Sequence, residues 1–169
     1  MKTYNHATGY HANTWFQNLV LGFLIDKSIM IYRADDKWKG FIPFYNNEAP
    51  YGGIISTPSA LKVYCQELLK NNGNLLPKTV VDEMLTEQKT NDGSKTAMAL
   101  GWFKGELAGN EYYCHAGGGG GYYSEIRLYP FLGLGSVIML NSSGMTDDRI
   151  LDDLDIGQLK KAEPNNTNP

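Results

Sequence analysis

The sequence predicts an α+β fold in which helices precede an antiparallel β-sheet and a last helix packs back on it. Three observations carry that expectation. Apolar residues recur at helical spacing over residues 57 to 73. The period changes to two from residue 97. The connections after that point, "AGN", the glycine run 117–121 and "PFLG", are short enough for an antiparallel meander.

Residues 1–50 are an irregular lead-in. Within them "SIMIYRADDKWKGFIPFY" (28–45) reads as two short strands around "ADDK", and "NNEAPYGG" as loop. In "STPSALKVYCQELLKNNG", Thr57 suits an N-cap, Pro58 the first helical position, and Gly73 the end. Leu61, Tyr64, Cys65, Leu68 and Leu69 share its apolar face. "LPKTVVDEMLTEQ" (76–88) reads as a second amphipathic helix.

Four strands follow: "AMALGWFKGEL", "EYYCHAG", "YYSEIRLYP" and "LGLGSVIMLNSS". The nearly all-apolar "SVIMLN" (136–141) is expected to be central or covered on both faces. "TDDRILDDLDIGQLKK" reads as a helix burying Ile150, Leu151, Leu154 and Leu159. Residues 164–169 form a polar tail. The domain expectation is therefore one domain over residues 1–163, with no internal repeat.

With 169 residues, 42% hydrophobic and 20% charged, the chain can bury a core. A net charge of −3 without a basic block argues against nucleic acid. The longest apolar run, "LVLGFLI", is too short to span a bilayer. No secretory signal is read, yet the chain opens mid-texture, which reads as an incomplete chain or an internal start. The compartment is accordingly left open. Cys65 and Cys114 match no metal spacing and read as idle thiols. His6, His11 and His115 form no HExxH-type cluster, so neither metal nor cofactor is expected.

The order and wording of four stretches resemble the C-terminal part of the serine β-lactamase and penicillin-binding protein superfamily. The branch most resembled is that of class C β-lactamases, esterases and D-aminopeptidase-like hydrolases. The stretches are "YGGIISTPSAL", "LGWF", "HAGGGGGYYSEIRLYP" and "LGLGSVIMLNSSG"; residues 51–163 hold the best-matched part. The resemblance implies an acyl-transfer enzyme with three motifs: Ser-x-x-Lys for the nucleophile, Tyr-x-Asn for proton transfer and substrate, and a Lys-Thr-Gly or His-x-Gly strand.

His115, Ala116 and Gly117 fall on the third motif. His115 is then a catalytic residue facing the cleft, and Gly118 the donor of an oxyanion-hole N–H. Ala116, Gly117 and Gly119 are then the backbone on which substrate lies. The resemblance also implies that the nucleophile segment precedes these residues by more chain than this sequence contains. This portion alone is thus expected to be inactive, with an amide or ester as the substrate class of the complete enzyme. Two further partners are implied: self-association through an exposed edge of "SVIMLN", or pairing with a missing N-terminal half. A non-catalytic peptide-binding module on the same fold is the alternative.

Look-alike motifs are set aside. Ser59–Lys62 spells S-x-x-K and Tyr45–Asn47 spells Y-x-N, but in the wrong order. Lys95-Thr96-Ala97 lies in a polar loop. Ser142 and Ser143 read as turn residues. The five glycines exceed what a tight hairpin needs, so they read as a cleft wall where missing Cβ atoms admit a ligand.

Overall fold

The structure, a computed structural model, describes residues 6–24, 26, 31–33, 35–42, 52–70, 73–143 and 150–162. The protein is α+β, and the sheet connections after residue 97 are short, as the periodicity requires. The chain divides into two compact units.

The first unit comprises Met1–Ser56, Gly117–Ser124 and Met139–Thr146. Its sheet has the order β2 (Ile31–Arg33), β3 (Trp38–Phe41), β1 (Tyr10–Ala12), β9 (Ser142–Ser143). Strands β2 (Ile31–Arg33) and β3 (Trp38–Phe41) form an antiparallel hairpin, as read from "ADDK". The turn is closed by Asp35, whose carboxylate accepts from the N–H groups of Lys37 and Trp38, both at 2.7 Å.

Strand β1 (Tyr10–Ala12) pairs antiparallel with β3 and parallel with β9 (Ser142–Ser143). Ser142 and Ser143 are therefore strand residues and not a turn. Local pattern does not reach this pairing, because the partner lies some 130 positions away. Helix α1 (Trp15–Leu24) follows β1 in what had read as irregular chain. The "NNEAPYGG" loop lies mostly outside the described residues; Gly52 and Gly53 carry no regular structure.

The second unit comprises Thr57–Ala116, Glu125–Ile138 and Asp147–Pro169. Helix α2 (Pro58–Leu69) starts as expected: Thr57 is extended, and its Oγ1 accepts from the Ala60 N–H at 3.2 Å. Such a cap contributes about 1 kcal/mol. The helix ends before Gly73, since Lys70 is already extended. Helix α3 (Lys78–Met84) begins after Pro77.

Strands β4 (Met98–Ala99), β5 (Trp102–Leu107), β6 (Asn110–Gly119), β7 (Tyr122–Tyr129) and β8 (Leu134–Leu140) make a sheet in that order. The first expected strand is in fact two, folded at Leu100-Gly101 where Gly101 takes φ +77°. The core of this unit brings Cys65 and Leu68 of α2 and Val81 of α3 together with Leu85, Ala99, Trp102, Tyr113 and Leu128.

Two expectations need correcting. Strand β8, which holds most of "SVIMLN", stands at the edge of its sheet among the described residues and is half-buried from Ser136 to Leu140, neither central nor doubly covered. In helix α4 (Ile150–Ala162) the buried stripe is Leu151, Asp155 and Leu159, while Ile150 and Leu154 are exposed. The stripe repeats every four residues, and its middle position is filled by an acid.

That acid explains the helix's seating. Asp155 accepts from the Tyr129 hydroxyl at 2.7 Å and from Ser136 Oγ. Arg127, buried in β7, bonds Glu125 and Asp152 and lies 3.8 Å from Asp155. Its guanidinium also sits 4.7 Å from the centre of the Tyr112 ring. Burial pulls the Arg127 pKa down, but the bonds to Glu125 and Asp152 outweigh it, so the group is held charged.

Both cysteines are free. Burial pushes up the thiols of Cys65 and Cys114 and the phenols of Tyr64, Tyr112, Tyr113 and Tyr129. In an unfolded chain these groups lose protons from about pH 8.5 for a thiol and about pH 10 for a phenol. Between those values and their raised folded values, the native state binds more protons than the unfolded one. Stability therefore falls as pH rises through that window. The urea midpoint is expected to decline steadily above about pH 9. A midpoint that stays flat to strongly alkaline pH would contradict the burial of these groups.

Candidate active-site strand

The hairpin β6–β7 carries the candidate residues. β6 starts beside β5 with Leu107↔Asn110 and keeps that ladder as far as Phe103↔Cys114. His115 comes next and is exposed. Its Nδ1 lies 2.8 Å from the carbonyl oxygen of Gly101. A carbonyl only accepts, so Nδ1 carries the hydrogen and Nε2 is left as the acceptor nitrogen. The ring is also 6.5 Å from that of Phe103. Gly101 thus orients His115 through a backbone oxygen that its left-handed turn presents. "LGWF" held that glycine in plain view, but its role shows only once the turn places it beside β6.

Beyond His115 the strand continues as Ala116, Gly117, Gly118 and Gly119, all exposed and all past the last residue pair with β5. A Cβ at Gly119 would meet nothing within 4 Å. At Gly117 the nearest atom would be Ser124 Oγ at 4.0 Å, and at Gly118 the Tyr122 carbonyl at 3.5 Å. No neighbour among the described residues requires these three to be glycine.

The last two glycines are different. Gly120 and Gly121 take φ +57° and +82° and form a two-residue hairpin turn. Gly121 also lies against the backbone of Gly9 and Tyr10. The run is therefore not one feature: two glycines turn the chain, and three lie extended and open.

The look-alike motifs do not assemble. Ser59 and Lys62 are exposed on the first turns of α2, with no hydrogen bond between them. Lys95 pairs with Glu87 at 4.0 Å, and Thr96 Oγ1 donates to the Gln88 carbonyl at 2.8 Å, so that triplet braces its own loop. Tyr45 and Asn47 lie outside the described residues. His11 is buried, with Nδ1 3.0 Å from the Ala12 carbonyl oxygen and its ring 5.5 Å from that of Phe41. Among the described residues no three His, Cys, Asp or Glu side chains gather as a metal site. No described helix is long and apolar enough to cross a membrane.

Two open grooves of about 500 and 470 Å³ lie in the second unit, and neither is lined by His115 or by residues 116–119. Residues 115–119 of the candidate strand are exposed.

A family model described as Beta-lactamase matches residues 5–160. The chain belongs to the beta-lactamase family. The match extends from the segment before β1 almost to the end of α4, so it takes in both units and the lead-in that the sequence alone left unread. Neither a curated protein nor a solved structure matches this beta-lactamase family chain.

Proposed function

We propose that this chain supplies the His-x-Gly strand of a beta-lactamase-like serine hydrolase that acts on an amide or ester. On this reading the nucleophilic serine and its lysine belong to a segment outside residues 1–169. The observation that carries the proposal is the state of β6 at and beyond His115. The Gly101 carbonyl holds one ring nitrogen and leaves the other as an acceptor. The strand then continues past its β5 partner as backbone without side chains.

Such an edge can hydrogen-bond a peptide-like substrate along its backbone. On this reading the N–H of Gly118 donates to the oxyanion. His115 Nε2 is available to bond the substrate or the attacking pair. The same open edge favours one alternative, a module that binds peptide-like ligands by strand addition and does no chemistry.

The test combines intact-mass analysis with NMR. The chain is incubated with a chromogenic cephalosporin, a p-nitrophenyl ester and a D-alanyl-D-alanine peptide. No turnover and no acyl adduct are expected, while the resonances of His115 and the amides of residues 116–119 shift on titration. An acylated serine in this chain would overturn the placement of the nucleophile outside it. Absence of any shift at β6 in a folded sample would overturn the substrate role of the strand. His115→Ala is expected to abolish the ring response and leave the glycine amides responsive.

A further inference from the structure

Helix α1 is amphipathic in the inverted sense. Trp15, Phe16, Leu19, Val20 and Phe23 are 78%, 66%, 44%, 39% and 83% exposed. At 3.6 residues per turn these five positions share one arc of about 140°. The opposite side is the one engaged with its own unit. There Asn18 Oδ1 accepts from Lys39 Nζ of β3 at 2.7 Å, and Asn18 Nδ2 donates to Asn13 Oδ1 at 2.9 Å. Asn13 Nδ2 in turn donates to the Asp36 carbonyl at 3.2 Å. A helix that spends its polar side on its own sheet and turns its apolar side to water is presenting a contact surface.

We infer that this stripe is the interface of a homodimer, formed by α1 of one copy packing on α1 of a second across a two-fold axis. Area and charge identify the occupant. An aromatic side chain carries about 150–250 Å², so at these exposures the five residues offer roughly 650 Å². That approaches the share of about 800 Å² per partner in an interface of standard size. The helix contains no charged residue, so two identical stripes meet without like-charge repulsion. The same lack of charge disfavours a lipid surface. Interfacial helices present Lys and Arg beside the apolar face, whereas here the nearby Lys39 is committed to Asn18 and the chain carries net charge −3.

Sedimentation equilibrium of the 169-residue chain across a wide concentration range, with Phe23→Glu and Leu19→Lys made separately, tests the inference. The unsubstituted chain is expected to be a dimer that dissociates on dilution. Each substitution is expected to weaken dimerisation about thirty-fold or more, as at an interface hot spot. Because both side chains are exposed, the circular dichroism of dilute samples should not change. Three results would each overturn the inference: a monomer at all concentrations, a dimer that survives both substitutions, or a stripe that binds phosphatidylcholine vesicles without dimerising.

Discussion

Arg127→Met is expected to destabilise the protein by about 3–5 kcal/mol, because it removes a buried cation that pairs with Glu125 and Asp152 and lies beside Asp155. Glu125 and Asp155 are both buried, and Asp152 is largely covered. Without the guanidinium, the carboxylates of Glu125 and Asp155 remain in a low-dielectric interior. They must then admit water or separate. The methionine replaces the apolar stem of the arginine and so isolates the charge from the packing. For a chain of this size the loss corresponds to a fall in melting temperature of roughly 6–20 °C.

Lys78→Ala is the contrasting case. It removes a solvent-exposed i,i+4 pair with Asp82 on α3 and should cost no more than about 0.5 kcal/mol. Urea denaturation of both variants measures the difference. An Arg127→Met midpoint close to that of Lys78→Ala would mean that the cluster is hydrated and does not hold α4 against the sheet. Asp155→Asn refines the assignment. It keeps the shape and one acceptor for the Tyr129 hydroxyl but removes the charge, and should cost less than Arg127→Met.

The same cluster shows why sequence reading succeeds in some elements and fails in others. The start of α2 was legible because its determinants are adjacent in the chain: the Thr57 cap, Pro58 after it, and Cys65 and Leu68 spaced to face one side. The hairpin β6–β7 was legible for the same reason. In α4 a search for apolar spacing chose Ile150 and Leu154, which are exposed, and passed over Asp155. An acid is a core residue only if Tyr129 and Ser136 wait for it, and those positions are fixed by tertiary structure. Helix α1 escaped because its apolar residues point outward, which gives the right period without a core to justify it. Strand β9 escaped because its partner is β1 at the other end of the sequence.

Of the candidate residues, His115 was readable as a motif position, while its orientation by Gly101 needed the β4–β5 turn. The glycine run was readable as unusual. Its division into three open residues and two that turn the chain was not, because the division depends on which glycines other backbone approaches.

That division yields the other large expected effect. Gly121→Ala should cost about 3–5 kcal/mol, combining strain at a left-handed residue with an overlap that cannot relax. Its Cβ would lie 2.4 Å from both the Gly9 carbonyl carbon and the Tyr10 nitrogen, and 2.7 Å from Phe41 Cδ2, at φ +82°. Two of these three neighbours are backbone atoms, so no rotamer change makes room. The turn must lift away from β1, and the 3.1 Å bond from the Tyr10 N–H to the Gly121 carbonyl goes with it. Gly119→Ala, two positions earlier in the same run, meets nothing within 4 Å at an ordinary extended φ. It should be neutral or stabilise by up to about 1 kcal/mol, since alanine loses less backbone entropy than glycine on joining a strand. The two variants therefore separate fold from site. If Gly119 is glycine so that substrate can approach β6, its alanine variant keeps the melt and loses the ligand-induced shifts along residues 116–119. If Gly119→Ala also keeps those shifts, the missing Cβ at Gly119 is incidental to ligand binding on β6. If Gly121→Ala melts like the unsubstituted chain, the close approach of the turn to β1 is not part of the folded state.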